Sequence, residues 1–341
     1  MNDVTKEAAP TEKTKNGDVS WRVILGRIFA NRESGVFFAL IVLCIIMSFA
    51  SPYFLKPQNL FNVARGMSTI AIMAIGMTMV IVSGGIDLSV GSLAAVSAMS
   101  TARLMTYGNL NPWLALAAGI GVGTFLGATN GYIITRIKVN PFITTLGMLS
   151  IGRGLTYLIA TGLQGSVASN IPMRHEGVNF LGAGHIGQVP FPVIEMIVLV
   201  IIFSYFLGNV VLGRQIYAVG SNEQAARLSG VNVGNVRLFV YTLTGALSGL
   251  AGVMGAGLLS TAPTNLGLGV ELDVIAAVVI GGASLMGGEG TILGAVIGAA
   301  IMAVIRNAFV LLKLPIYMQT VTIGVVIIIA VALDQLRKRR T

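Results

Sequence analysis

Charge is what this sequence has least of. Asp, Glu, Lys and Arg make up 10% of its 341 residues, where a soluble domain carries about a quarter. That shortage, with 55% hydrophobic residues, excludes an ordinary soluble protein. Cysteine is nearly absent too. The single Cys44 lies inside an apolar run, so no intramolecular disulfide is possible. The two histidines, His175 and His185, fall in a Gly-rich loop without carboxylates at ligand spacing. They read as loop residues rather than a metal pair, and no metal site is expected. The sequence also has no Gly-x-x-x-x-Gly-Lys-Ser/Thr motif, so it carries no P-loop nucleotide site. No nucleophile–base arrangement stands out. The expectation is a chain that is not an enzyme, with no catalytic residue and no cofactor of its own.

Long apolar runs are present instead, several reaching about 20 residues, the length that spans a bilayer. They fall at about 36–50, 66–82, 88–106, 112–134, 141–161, 191–212, 236–260, 271–283, 291–312 and 315–334. The fold class that follows is an all-α polytopic membrane protein of about ten transmembrane helices, some of them short or broken. Residues 1–35 form a polar tail in which Trp21 to Ala30 can lie as an amphipathic interfacial helix. Residues 36–335 form the membrane domain and 336–341 a short second tail. With both termini in the cytoplasm, 15 of the 22 Lys and Arg fall on the cytoplasmic side, as the positive-inside rule requires. The net charge of +9 sits at segment ends and in the tails, which argues against a nucleic-acid partner and for the bilayer.

Stretches of the chain resemble each other, either as an internal duplication or as Gly/Ala-rich membrane helices do by composition. Gly123-Thr-Phe-Leu-Gly-Ala-Thr-Asn-Gly131 matches Gly290-Thr-Ile-Leu-Gly-Ala-Val-Ile-Gly298 at six of nine positions, and Gly85-Ile-Asp-Leu-Ser-Val90 resembles Gly269-Val-Glu-Leu-Asp-Val274. The two blocks, about 66–161 and 236–334, would lie in opposite orientations, a common plan in transporters. Polar residues inside these blocks are the candidates for a translocation pathway: Asp87, Ser89, Asn130, Glu271, Asp273, Asn307 and Gln319. Asp87 either caps the third segment or lines a path. Glu271 and Asp273 hold the matching place at the eighth segment, where capping or loop solvation is the plainer reading. Asn130, Arg153, Arg306, Asn307, Tyr317 and Gln319 either line a pore or bond helix to helix.

One stretch breaks the apolar pattern: Gly220-Ser-Asn-Glu-Gln-Ala-Ala-Arg-Leu-Ser-Gly-Val-Asn-Val233. A buried membrane helix would not carry Ser, Asn, Glu, Gln and Arg within seven residues. Ser221 or Asn222 can cap a short helix there, and Gly220 and Gly230 bracket it. Glu223 and Arg227 are spaced to pair on one face. Ala225 and Ala226 are expected to leave a smooth surface for a cytoplasmic partner.

This stretch, together with Met77-Thr-Met-Val-Ile-Val-Ser-Gly-Gly-Ile-Asp-Leu-Ser-Val-Gly-Ser92 and Glu271-Leu-Asp-Val-Ile-Ala-Ala-Val-Val-Ile-Gly-Gly-Ala-Ser-Leu-Met-Gly-Gly-Glu-Gly290, resembles the ribose/xylose/arabinose-type permeases of bacterial ABC importers. The similarity covers about residues 35–335. It implies a membrane subunit in the bacterial inner membrane that works as a pair and imports a monosaccharide. Its partners would be two cytoplasmic ABC ATPase subunits, which bind ATP and Mg, and a periplasmic sugar-binding protein. It further implies that 220–233 is the segment that couples to the ATPase, through Asn222, Glu223, Ala225, Ala226, Ser229 and Gly230, with Arg227 as the partner of Glu223. The rival reading is an ion-coupled secondary transporter that uses Asp87, Glu271 or Asp273.

Overall fold

In the computed structural model, residues 32–161 and 170–338 are described; the N-terminal tail and its interfacial helix lie outside them. Thirteen α-helices follow one another among these residues: α1 Arg32–Ala50, α2 Pro57–Val82, α3 Val90–Thr106, α4 Pro112–Tyr132, α5 Pro141–Thr161, α6 Glu176–Ala183, α7 Phe191–Asn209, α8 Val211–Ser221, α9 Glu223–Leu228, α10 Val233–Leu259, α11 Val270–Ile280, α12 Ile292–Leu311 and α13 Ile316–Lys338. A π-helical turn, Ile133–Ile137, extends α4. Several starts are set by sequence. Pro57, Pro112 and Pro141 stand at first helical positions, where a missing N–H costs nothing and φ is already helical. Asn111 accepts a hydrogen bond from the Trp113 N–H and so caps α4.

The chain is a multi-pass membrane protein. Among the described residues six helices are long and apolar enough to cross a membrane: α2, α4 with its π turn, α5, α7, α10 and α12. All ten segments expected from the sequence contain a helix, yet α3 has 17 residues and α11 only 11, and the apolar stretches of α1 and α13 are short as well. A count of ten full spans is therefore not established. Three boundaries differ from expectation. The helix expected over 66–82 begins nine residues earlier, at Pro57. The run expected over 191–212 ends at Asn209, because Val210 takes an extended conformation (φ −85°, ψ 148°) and a separate helix, α8, begins. The loop expected over 162–190 carries structure where it is described: α6 and three short strands, β1 Asn170–Pro172, β2 His185–Ile186 and β3 Val189–Pro190. A fourth strand, β4 Thr261–Pro263, pairs antiparallel with β1, and β2 pairs antiparallel with β3.

The core lies around α2, α3, α10 and α11, whose inner faces are closed to solvent and lipid. From Val90 to Ala102 every residue of α3 is buried. Close packing there depends on small residues. Gly123 and Gly127 of α4 face Gly245 of α10, and a Cβ on Gly123 would stand 2.7 Å from the Gly245 carbonyl oxygen. Backbones in membranes approach this closely only where side chains are nearly absent. The packing partners come in matched sets. Helix α2 packs on α12, and α10 packs on α4. Helix α3 lies against α4, α5 and α10, while α11 lies against α12, α13 and α2.

The two short helices start beside each other and run to opposite ends of the bundle. Gly91, in the first turn of α3, meets Gly267, just before α11, backbone to backbone. From there α3 runs to Thr106, whose hydroxyl donates to the Pro172 carbonyl of β1. Helix α11 runs the other way, to a glycine hairpin, Gly281–Gly290, that meets Gly220. At 1.5 Å per residue α11 is only about 16 Å long, about half a membrane.

Candidate functional site

Two groups of polar residues stand out from the apolar frame. The first is an exposed helix at one end of the bundle. Asn222 is its N-cap and accepts from the Ala225 N–H at 2.9 Å. Gly230 follows it with φ +82°, a left-handed conformation that costs glycine nothing. Between them Glu223 accepts from Arg227, four residues on, at 2.7 Å, and from Arg237 of α10 at 2.9 Å. Burial alone would raise the Glu223 pKa. The Arg227 hydrogen bond and the charges of Arg237 and Arg227 outweigh it, so the carboxyl is held below its ordinary value of 4.5. Leu228 at the end of α9 is 91% exposed. Beside this helix Thr135, Lys138, Asn140, Glu223, Arg227 and Arg237 line a cavity of about 320 Å³.

Of the two caps the sequence offered, Ser221 and Asn222, the structure uses Asn222. Two details of this helix depart from the sequence reading. Gly220 does not bracket α9, since it lies in the last turn of α8 and packs against the end of α2. Ala226 is buried, so only Ala225 of the alanine pair offers a smooth outer surface. Ser229 is exposed, and its N–H donates to the Ala225 carbonyl. Arg237, the second cation on Glu223, was not legible, because only the fold brings α10 beside α9.

The second group lies inside the bundle. Asp87 is buried, and its Oδ1 accepts from both the N–H and the hydroxyl of Ser89, at 2.8 and 2.6 Å. Ser89 in turn accepts from the Asn130 amide of α4 at 3.0 Å. All three side chains are closed to solvent. The loop that carries Asp87 is held from the other side by Tyr241 of α10, whose hydroxyl donates to the Ile86 carbonyl at 3.2 Å. The structure thus brings Asp87, Ser89 and Asn130 into one chain of hydrogen bonds. Asp87 does not cap α3 in the usual way; its bonds to Ser89 close a turn just ahead of the helix.

On the α11 side the chemistry differs. Asp273 is buried and ion-paired with Arg306 of α12. This corrects the expectation of capping or loop solvation at Asp273, for Gly269 stands at the N-cap position and Asp273 is buried. Glu271 faces Gly91, and Arg153 of α5 donates to the Leu266 carbonyl close by at 2.6 Å. Asn307 lies apart from both sets. It exchanges two amide hydrogen bonds with Asn59 of α2, at 2.8 and 3.1 Å, and so joins helix to helix. Gln319 is half-buried on α13. The histidines also have structural partners. His175 caps α6 by accepting from the Val178 N–H, and His185 bonds to Arg65 of α2.

Residues 59–331 match the family described as "Branched-chain amino acid transport system / permease component". The chain is 42% identical to the ribose import permease protein RbsC of Escherichia coli (strain K12), over 87% of this chain and 91% of that protein. It is 38% identical to the D-allose transport system permease protein AlsC of the same strain, over 89% of this chain and 91% of that protein. With the L-arabinose ABC transporter permease protein AraH of Azospirillum brasilense it shares 33% identity, over 90% of this chain and 89% of that protein.

Proposed function

This chain belongs to that permease family, and on that premise we propose that it is the membrane subunit of an ATP-driven importer for a monosaccharide. The family description speaks of amino acids, but the relatives that align along nearly the whole chain are named for ribose, D-allose and L-arabinose. The observation that carries the reading is α9. A capped, ion-paired polar helix projects an apolar tip, Leu228, from a chain that has no P-loop of its own. Such a helix suits docking into a groove on a separate ATPase, with Asn222, Glu223, Ala225, Arg227, Ser229 and Gly230 forming or shaping the docked surface. Ala226 anchors the helix from beneath.

In this reading both termini and α9 are cytoplasmic, the membrane is the bacterial inner membrane, and a second copy completes the pathway. A periplasmic binding protein delivers the sugar and supplies the selectivity. The matched packing of α2–α5 and α10–α13 supports two inverted repeats, with α3 and α11 as corresponding half-helices. The polar residues at the starts of those half-helices, Asp87, Ser89, Asn130, Glu271 and Asp273, would border the pathway where it narrows. Asn307 acts in helix packing through Asn59, while Gln319, half-buried on α13, stays a pathway candidate.

The test is purification of the tagged chain from solubilised membranes with ATPase activity assayed in the eluate. A co-purifying ATPase that is lost when 220–233 is scrambled supports the reading; an eluate without ATPase in the wild type refutes it. One observation favours the rival, an ion-coupled carrier: Asp87 is buried and takes part in none of the ion pairs among the described residues. Uptake driven by the purified chain alone under an ion gradient would establish that rival.

A further inference from the structure

Of the three sequence motifs, the second half of Glu271–Gly290 has no task in the reading above. It is the glycine hairpin that joins α11 to α12. The hairpin closes on itself through the Ser284 N–H to the Glu289 carbonyl at 3.0 Å and the Gly287 N–H to the Ser284 carbonyl at 2.9 Å. Gly282, Gly287, Gly288 and Gly290 all have positive φ, which other residues adopt only under strain.

The hairpin grips the segment that leads into α9. The Gly288 N–H donates to the Val82 carbonyl at the end of α2, at 2.8 Å. The Tyr217 hydroxyl of α8 donates to the Gly290 carbonyl at 2.6 Å. Gly220, two residues before the Asn222 cap, lies between the end of α2 and the hairpin; a Cβ there would stand 2.7 Å from the Gly288 nitrogen. A Cβ on Gly287 would stand 2.8 Å from the Gly220 oxygen and 3.1 Å from the Gly84 Cα. Three backbone stretches, the end of α2, the last turn of α8 and the hairpin, therefore meet in direct contact. Contacts of this kind transmit displacement, because nothing compressible separates them.

The hairpin continues directly into α11. The far end of that short helix carries Asp273, paired with Arg306, and Glu271, which faces Gly91 at the start of α3. We propose that the Gly281–Gly290 hairpin is a second coupling element, which passes movement of the α8–α9 segment along α11 to the contact between the two half-helices. This rests on the proposed role as an ATPase-coupled permease. Tyr217, Gly220 and Gly288 are its positioning residues. They hold the hairpin to the segment and touch neither sugar nor nucleotide.

The test compares Tyr217→Phe and Gly288→Ala with wild type in the intact complex. Two quantities are read: the ATPase that co-purifies, and the sugar transported per ATP hydrolysed, with the first of ribose, allose and arabinose that the wild type takes up. A docking role alone would not move the second quantity while the first stays constant. The expected result is wild-type ATPase recovery with a transport ratio lowered roughly fivefold in Tyr217→Phe, the factor for one hydrogen bond of about 1 kcal/mol. Gly288→Ala should lower it further, since a Cβ there would meet Ser221; if that variant fails to fold, Tyr217→Phe decides. A lowered ratio with ATPase retained in either variant supports the second coupling element. An unchanged ratio in every folded variant, or loss of ATPase in step with transport, overturns it. A wild type that brings down no ATPase refutes the functional reading instead.

Discussion

Helices α3 and α11 occupy corresponding places in the two halves of the chain and begin beside each other, yet they are held by opposite chemistry. The start of α3 is fixed by the run Asn130 to Ser89 to Asp87, together with the Tyr241 bond to Ile86, and no cation takes part. The start of α11 is held by an ion pair, Asp273 to Arg306. The first arrangement is short-range, directional and sealed from solvent, so it fixes the helix. The second joins a buried carboxylate to a guanidinium that is 39% exposed. One partner can be rehydrated without the other, and that permits movement. The fold connects the same helix, α11, to the α8–α9 segment through the glycine hairpin. On the coupling proposed above, α3 is the half-helix held in place and α11 the one that moves.

The largest effect expected from breaking this contrast is on the ionic side. Arg306→Ala leaves Asp273 buried without a counter-charge, which costs about 3–5 kcal/mol. Thermal unfolding in detergent checks this, and Asp273→Ala combined with Arg306→Ala should recover part of the loss. On the α3 side the effect is smaller. Asn130→Ala removes the donor to Ser89, a loss of about 1–3 kcal/mol for a buried polar network left incomplete, read in the same assay. Equal losses at the two sites would erase the distinction.

At the coupling end, Asn222→Ala removes the cap of α9 and should cost about 1 kcal/mol. Because α9 is short and peripheral, the loss should show in ATPase recovery and hydrogen exchange of residues 223–228 rather than in global unfolding. Removing both side chains with Glu223→Ala and Arg227→Ala should lower transport-coupled ATP hydrolysis while the chain still inserts. The smallest effect concerns pH. The folded pKa of Glu223 lies below 4.5, so its ion pairs are complete above that value and are lost as pH falls through the lowered one. ATPase recovery should therefore be flat from about pH 5 upward as far as Glu223 is concerned. A fall between pH 7 and 5 that Glu223→Gln abolishes would contradict this.

Much of this was legible in the sequence because its signals are local. Apolar runs located the ten helical segments, and i, i+4 spacing gave the Glu223–Arg227 pair. What escaped is either masked by neighbouring apolar residues or long-range. The α7–α8 break is hidden in the sequence because Val210, Val211 and Leu212 continue the apolar run past Gly208-Asn209. Burial of Ala226 depends on how α9 is rotated against its neighbours. The partners Asp273 and Arg306 are 33 residues apart, and Tyr241 and Ile86 are 155 apart, so no spacing rule joins them. The polar residues were recognised as candidates, but which of them meet is decided by packing.

The central claim is that ATP used by a partner, delivered through α9, drives import through this chain. The most direct measurement is accumulation of radiolabelled ribose, allose and arabinose in cells that make ATP by fermentation, with proton and sodium gradients collapsed by ionophores. Continued accumulation of one of these sugars, abolished when 220–233 is scrambled, is the predicted result. Accumulation that vanishes with the gradients while cellular ATP is unchanged would contradict the account.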